Sequence, residues 1–182
     1  MTVLRGEDMG KVTVNKKLFL LARTALLSAV AVVLSILESF IPDLPFVLPG
    51  MKLGLGNIAV LVAVETCPLP MVLYIALIRA LFTLVTRGAT AFFMSFAGAV
   101  LSSLVMYFLA HSKKPGFGCL GIGIAGAFTH NMAQLMVAFI IVGEATFAYF
   151  PVVTLFSLFT GALTSLVHRF TLPAITKTPF FN

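Results

Sequence analysis

The stretch LGIGIAGAFTHNMAQLMVAFIIV, residues 120–142, decides the fold class, because it is a long apolar run with strongly polar side chains in its middle. An apolar helix needs about 20 residues to cross a hydrocarbon core of about 30 Å, and this run is long enough. His130, Asn131 and Gln134 are costly at that depth unless they face polar partners, so they indicate a functional site inside a membrane helix.

The composition of the whole chain agrees with a membrane protein. Hydrophobic residues make up 60% of the chain, charged residues only 10%, and the mean hydropathy is +1.10. We predict an all-α membrane protein of the cell membrane, with cytoplasmic tails at 1–17 and 173–182 around a transmembrane domain at 18–172. The net charge of +6 does not indicate nucleic-acid binding here, because cytoplasmic loops of membrane proteins collect Lys and Arg.

Six apolar segments, separated by Pro and Gly, are candidate spans: 18–41, 53–65, 70–86, 91–110, 120–142 and 149–170. Most Lys and Arg residues fall on the side that holds both termini, which the positive-inside rule places in the cytoplasm. We expect Pro173 to end the sixth span. The second span is too short to cross the core. It is either an ordinary short or tilted helix, or a helix whose outer end opens into a pocket.

A set of polar residues is expected to converge in the outer half of this bundle. Arg79 lies near the middle of the third span, at the depth of His130, and is either a structural arginine bonded to carbonyls, Glu38 or Glu65, or an anion-binding group. Polar stripes on the fourth and sixth spans, including Ser95 and Ser157, point towards the same cavity. The candidate substrate-binding residues are Lys52, Asn57, Arg79, Arg87, His130, Asn131 and Gln134.

Several other functions are disfavoured. Gly121, Gly123 and Gly126 match the G-x-G-x-x-G pattern, but a dinucleotide site needs a preceding strand, and these glycines open a membrane helix where they permit close packing. No ligand spacing supports a metal site, and we expect no cofactor. The chain has no Walker motif, so any use of ATP belongs to a partner. It is therefore predicted not to be an enzyme.

The first span carries a pair of small residues, Ala25 and Ala29, at helical spacing near its cytoplasmic end. Such small-xxx-small surfaces let two membrane helices approach closely. The pair either packs within the bundle or docks another membrane protein.

Four segments together resemble the Gx transporter family, whose members are often labelled heptaprenyl diphosphate synthase component I. They are Met51-Lys-Leu-Gly-Leu-Gly-Asn57, Arg79, Ser95-Phe-Ala-Gly98 and Gly126-Ala-Phe-Thr-His-Asn-Met-Ala-Gln134. The family is similar to the substrate-binding S components of energy-coupling factor (ECF) transporters. This resemblance implies six helices, a substrate pocket in the outer half, and a first-helix A-x-x-x-A surface that docks the coupling protein, a role that falls on Ala25 and Ala29.

The leading hypothesis is an S subunit of an ATP-driven importer for a small anionic or vitamin-like nutrient. Its expected partners are an ECF transmembrane coupling protein, two ATPase subunits, the substrate and the bilayer. A stand-alone secondary carrier is one alternative, although the sequence shows no convincing internal repeat. A non-catalytic membrane subunit of polyprenyl diphosphate synthesis is another. The chain has only two aspartates, Asp8 and Asp43, so it lacks the aspartate-rich Mg²⁺ motifs that such catalysis needs.

Overall fold

The computed structural model describes residues 5–40, 54–112 and 117–177, and throughout these ranges the regular structure is helical. Six α-helices follow one another, with a 3-10 segment, Glu144–Tyr149, leading into the last of them. The helices are α1 Arg5–Ser39, α2 Gly56–Thr66, α3 Leu69–Arg87, α4 Ala89–Ala110, α5 Cys119–Val142 and α6 Phe150–Ile175.

Five of these helices, all except α2, are long and apolar enough to cross a membrane. Their outward surfaces carry large apolar side chains such as Val85, Ile140 and Phe170, which are mostly exposed. Exposed apolar surface on this scale is expected of helices that face lipid. The prediction of an all-α, multi-pass membrane protein is therefore confirmed.

Helix α2 is the centre of the bundle. It packs against each of α1, α3, α4, α5 and α6, and every residue from Gly56 to Val64 is buried. Its 11 residues extend about 17 Å at about 1.5 Å per residue, well short of a bilayer core. A helix that is apolar on all sides is stable when protein surrounds it, so α2 does not need the length of a membrane-spanning helix.

Contacts at both ends of α2 fix the direction of its neighbours. At one end the carboxylate of Glu38, near the end of α1, accepts a hydrogen bond from the Gly54 amide. At the other end Arg23, much earlier in α1, donates from Nη1 to the carbonyl of Thr66 over 2.7 Å. Helices α1 and α2 are therefore antiparallel.

The last helix returns to the end of the bundle at which Arg23 lies. His168, late in α6, contacts Glu65 through its Nε2 at 3.1 Å, next to the end of α2. The early part of α1 and the late part of α6 thus lie at the same end of the bundle, as two termini on one side require. Which side of the membrane this is stays a prediction from the Lys and Arg distribution.

Some helix boundaries differ from those predicted. Helix α1 begins at Arg5, inside the stretch assigned to the polar tail, and its apolar part is 16–39. The prediction that Pro173 ends the sixth span is wrong, because α6 continues through it to Ile175. A proline so close to the end of a helix removes a hydrogen bond only from the last turn, so the helix tolerates it.

Small residues bring α5 close to α4 and α6. A Cβ at Gly126 would lie 2.4 Å from Met106 Sδ, and one at Gly123 would lie 1.9 Å from Ser165 Oγ. On the facing helix, a Cβ at Gly161 would lie 2.5 Å from the backbone Cα of Ile124. The glycines thus permit close helix packing, as expected for a membrane bundle and not for a dinucleotide loop.

A pair of glycine substitutions tests this packing. We expect Gly161→Ala to lower the melting temperature of the detergent-solubilised protein, because overpacking against backbone atoms costs about 1–3 kcal/mol. Gly121→Ala is the matched control, since its Cβ would be 3.5 Å from Phe117, an ordinary contact. Equal melting temperatures for the two variants would contradict the close α5–α6 approach.

Candidate functional site

Arg79 lies in the middle of α3 and is almost completely buried, with 3% of its surface exposed. Its Nη1 donates to Asn57 Oδ1 on α2 over 2.7 Å. Among the described residues Asn57 is the one hydrogen-bond partner of this guanidinium, and it is neutral. The buried carboxylate of Glu38 adds an attractive electrostatic interaction. The arginine is therefore held by an amide and a nearby negative charge, while Glu65, the other candidate partner, contacts His168.

Two glycines at the beginning of α2 make this arrangement sterically allowed. Gly56 lies directly against the arginine, and a Cβ there would be 2.9 Å from Arg79 Nε. Gly54 has φ +78, a left-handed conformation that favours glycine, and a Cβ there would lie 2.8 Å from Asn57 Nδ2. Both glycines of the Gly54-Leu-Gly-Asn57 segment thus have a steric role. Gly56 makes room for Arg79, and Gly54 makes room for Asn57, the two partners of the hydrogen bond.

A narrow cleft opens beside Arg79, with an empty volume of about 320 Å³ including its open mouth. Four helices contribute to it, α1, α3, α4 and α5. Thr83 and Ser95 line it with hydroxyl groups that lie 3.4 Å apart. None of the described lining residues is acidic, so the cleft has a positive lining. The lining residues are Ser35, Arg79, Thr83, Arg87, Ala91, Ser95 and Gln134.

Gln134 forms the part of the cleft wall that α5 contributes, and His130 lies directly behind it. Gln134 Nε2 lies 3.2 Å from His130 Nε2, and His130 Nδ1 lies 3.5 Å from Ser102 Oγ on α4. The imidazole is fully buried against Gly98, where a Cβ would be 2.9 Å from Cε1. Gln134 lines the cleft, whereas His130 lies behind it and orients the amide. Within the described residues neither side chain hydrogen-bonds to Arg79.

The remaining predicted site residues are placed differently. Asn131 is not brought to the cleft, because its Nδ2 donates over 2.9 Å to Ser157 Oγ on α6. Its role in the structure is an interhelical hydrogen bond between α5 and α6. The polar stripe on α6 likewise faces α5 and contributes no lining residue. Arg87 lines the cleft from the last turn of α3 and is partly exposed. Lys52 lies outside the described residues.

Sequence reasoning missed Ser35 as a lining residue and treated Glu38 only as a structural partner. A signal for both is present in α1, whose buried polar residues Thr24, Ser28, Ser35 and Glu38 are spaced by four, seven and three positions. Such spacing places them on one helix face. A face of polar residues in an otherwise apolar helix would have pointed to the cleft.

Ala25 and Ala29 lie on a different face of α1 and are exposed. In the described part of the chain α1 packs only against α2 and α3, so this face is not used inside the bundle. Between the described helices, therefore, the pair takes no part in internal packing. The docking role stays a prediction.

The helices and the cleft define a class: a multi-pass α-helical membrane protein with a buried, positively lined cleft between its helices. Within that class, the chain belongs to the family described as heptaprenyl diphosphate synthase component I, whose sequence model matches residues 27–171. This range contains every described residue that lines the cleft. Comparisons with curated proteins and with solved structures found no match.

The positive lining can be tested without knowledge of the ligand. With Cys67 and Cys119 replaced by serine, we expect Ser95→Cys to prefer the anionic reagent methanethiosulfonate ethylsulfonate over its cationic trimethylammonium analogue. The measurement is the ratio of the two modification rates, divided by the same ratio for a small free thiol. Arg79→Gln in this background should lower the ratio several-fold, because one guanidinium charge is lost.

Ser103→Cys is the control for this measurement. Ser103 is fully buried on the same helix and does not line the cleft, so a cysteine there should react with neither reagent. A normalised ratio near one at position 95 would contradict a cationic cleft.

Proposed function

We propose that this protein is the membrane-embedded substrate-binding subunit of an ECF-type, ATP-driven importer for a small anionic or vitamin-like nutrient. The observation that carries the proposal is Arg79, a buried guanidinium that lines a cleft and has a neutral amide as its hydrogen-bond partner. A charge buried in a bundle is costly when it is incompletely paired, so an anion entering the cleft would be stabilised there.

The cleft also has the composition of a small-molecule site, with a few polar groups held between apolar helices. Hydroxyl groups of Thr83 and Ser95, together with the Gln134 amide, supply directed hydrogen bonds. Because side chains narrow the cleft in this conformation, substrate entry would require them to move apart, which suits a subunit that binds on one side and releases on the other.

The coupling to ATP is proposed from the sequence resemblance and from the free face of α1. The chain has no nucleotide-binding motif of its own, and Ala25 and Ala29 are exposed on a helix that could cross the membrane. Small residues on a lipid-facing surface permit close approach of a second membrane helix. The proposed partners are a transmembrane coupling protein, which would contact this face, and two ATPase subunits.

The family description favours a second candidate, a non-catalytic membrane subunit associated with heptaprenyl diphosphate synthesis. Under this alternative the cationic cleft would hold a diphosphate group. Co-purification with a soluble prenyl diphosphate synthase, and not with coupling and ATPase subunits, would favour it. Transport by the chain alone in liposomes would instead favour a stand-alone carrier.

Substrate binding is tested at Arg79. We expect Arg79→Gln to abolish the recovery of small acids that co-purify with the wild-type protein, because the glutamine removes the charge but keeps a polar side chain. The measurement is mass spectrometry of the small molecules released by denaturation. Arg169→Gln is the matched control, since Arg169 is exposed and near the opposite end of the bundle. Equal recovery from the wild type and both variants would exclude Arg79 from the site.

Partner docking is tested on α1. When the chain is co-expressed with the coupling protein and ATPase subunits of its source genome, we expect Ala29→Trp to abolish their co-purification. A large side chain would hold the helices apart. Val30→Trp changes a neighbouring, lipid-facing residue that is 41% exposed and should leave the complex intact. If Ala29→Trp also leaves it intact, this face is not the docking surface.

A further inference from the structure

Two buried side chains that line the cleft have hydrogen-bonding capacity that the described residues do not use. Arg79 has five N–H donors and uses one, through Nη1, with Asn57. Gln134 is 4% exposed, and its Oε1 is buried without a hydrogen-bond partner. A buried polar atom that lacks a partner is unusual in native structures and asks for an explanation. Both side chains line one cleft, so a ligand bound there can reach both.

The surroundings of His130 decide which end of the Gln134 amide faces the ligand. The Ser102 hydroxyl donates to the carbonyl of Ala99 over 3.2 Å, so its oxygen is an acceptor towards His130 Nδ1. The Ser102 oxygen, as the acceptor beside Nδ1, places the single proton of a neutral imidazole on that nitrogen.

With its proton on Nδ1, the imidazole of His130 presents a lone pair at Nε2. Gln134 must then direct its NH₂ group towards Nε2, at the observed 3.2 Å. The free end of the amide is therefore the carbonyl oxygen, which accepts hydrogen bonds and cannot donate them. His130 and Ser102, behind the cleft, thus fix which end of the Gln134 amide faces it.

We propose that the ligand of this cleft is a small molecule that carries an anionic oxygen group for Arg79 and, at another position, an N–H or O–H donor for Gln134. The inference rests on the proposed binding function and narrows its substrate class. Amino acids, hydroxy acids and heteroaromatic acids with a ring N–H belong to this class. Acids with no other donor do not, because they leave the buried Gln134 oxygen unpaired, which lowers affinity by about ten- to a hundredfold.

The test uses matched pairs of defined acids. In the Ser95→Cys protein that lacks Cys67 and Cys119, we would measure how well each acid protects the cysteine from methanethiosulfonate ethylsulfonate. The probes are ortho-, meta- and para-aminobenzoate, which place the donor at three distances from the carboxylate. Each is compared with its N,N-dimethyl counterpart, which keeps the ring and the acid but has no donor, and benzoate is included as the parent compound.

We expect at least one aminobenzoate to protect at a concentration about tenfold lower than its dimethyl counterpart. Gln134→Leu should reduce that ratio to about one while protection by benzoate persists, because leucine keeps the bulk but removes the acceptor. Arg79→Gln should weaken protection by all of the acids, and Arg169→Gln should change nothing.

Two results would overturn the inference in distinguishable ways. Protection by benzoate that depends on Arg79, without a preference for any aminobenzoate, would reject the donor requirement and leave the cleft as an anion site. Absence of protection by every acid would reject both the inference and the anion-binding function on which it rests. A preference for an aminobenzoate that survives Gln134→Leu would assign the donor to another acceptor and reject the role of Gln134.

Discussion

The hydrogen bond between Arg79 and Asn57 is the interaction on which the rest of the site depends. A guanidinium in an apolar bundle needs polar groups around it, and the beginning of α2 supplies them. This requirement explains why α2 is short, since it begins inside the bundle at the level of Arg79. It also explains Gly56, which leaves the space that the guanidinium occupies. The short central helix and the buried arginine are thus parts of one arrangement.

Much of the fold follows from the sequence, because apolar length and the positions of Pro and Gly are strong signals in a membrane chain. The extent of α1 and the continuation of α6 past Pro173 did not follow, since helical propensity outside the apolar core is a weak signal and one proline near a helix end is tolerated. The central position of α2 could not be read from its residues, because an apolar helix surrounded by protein has the same composition as one surrounded by lipid.

The candidate site could be predicted only in part. Depth in the membrane predicted Arg79 and Gln134 at similar levels, and both line the cleft. Depth says nothing about the direction in which a side chain points around the helix axis. Asn131 neighbours His130 in the sequence, yet it faces α6, because adjacent positions on a helix are about 100° apart. The rotation of a helix about its axis decides which polar side chain faces the cleft and which faces a neighbouring helix. Packing between helices sets this rotation, and a single sequence does not show that packing.

The burial of α2 on all sides has an electrostatic consequence. A helix has a partial positive charge at its N-terminus and a partial negative charge at its C-terminus, and protein surrounds α2, so water screens neither well. At the C-terminal end, Arg23 donates to the Thr66 carbonyl and neutralises the partial charge. At the N-terminal end, the partial positive charge lies beside the guanidinium of Arg79, and the Glu38 carboxylate, which accepts from the Gly54 amide, interacts with both. One carboxylate therefore offsets two positive groups, and the excess of positive charge at this end of α2 favours an anion in the cleft.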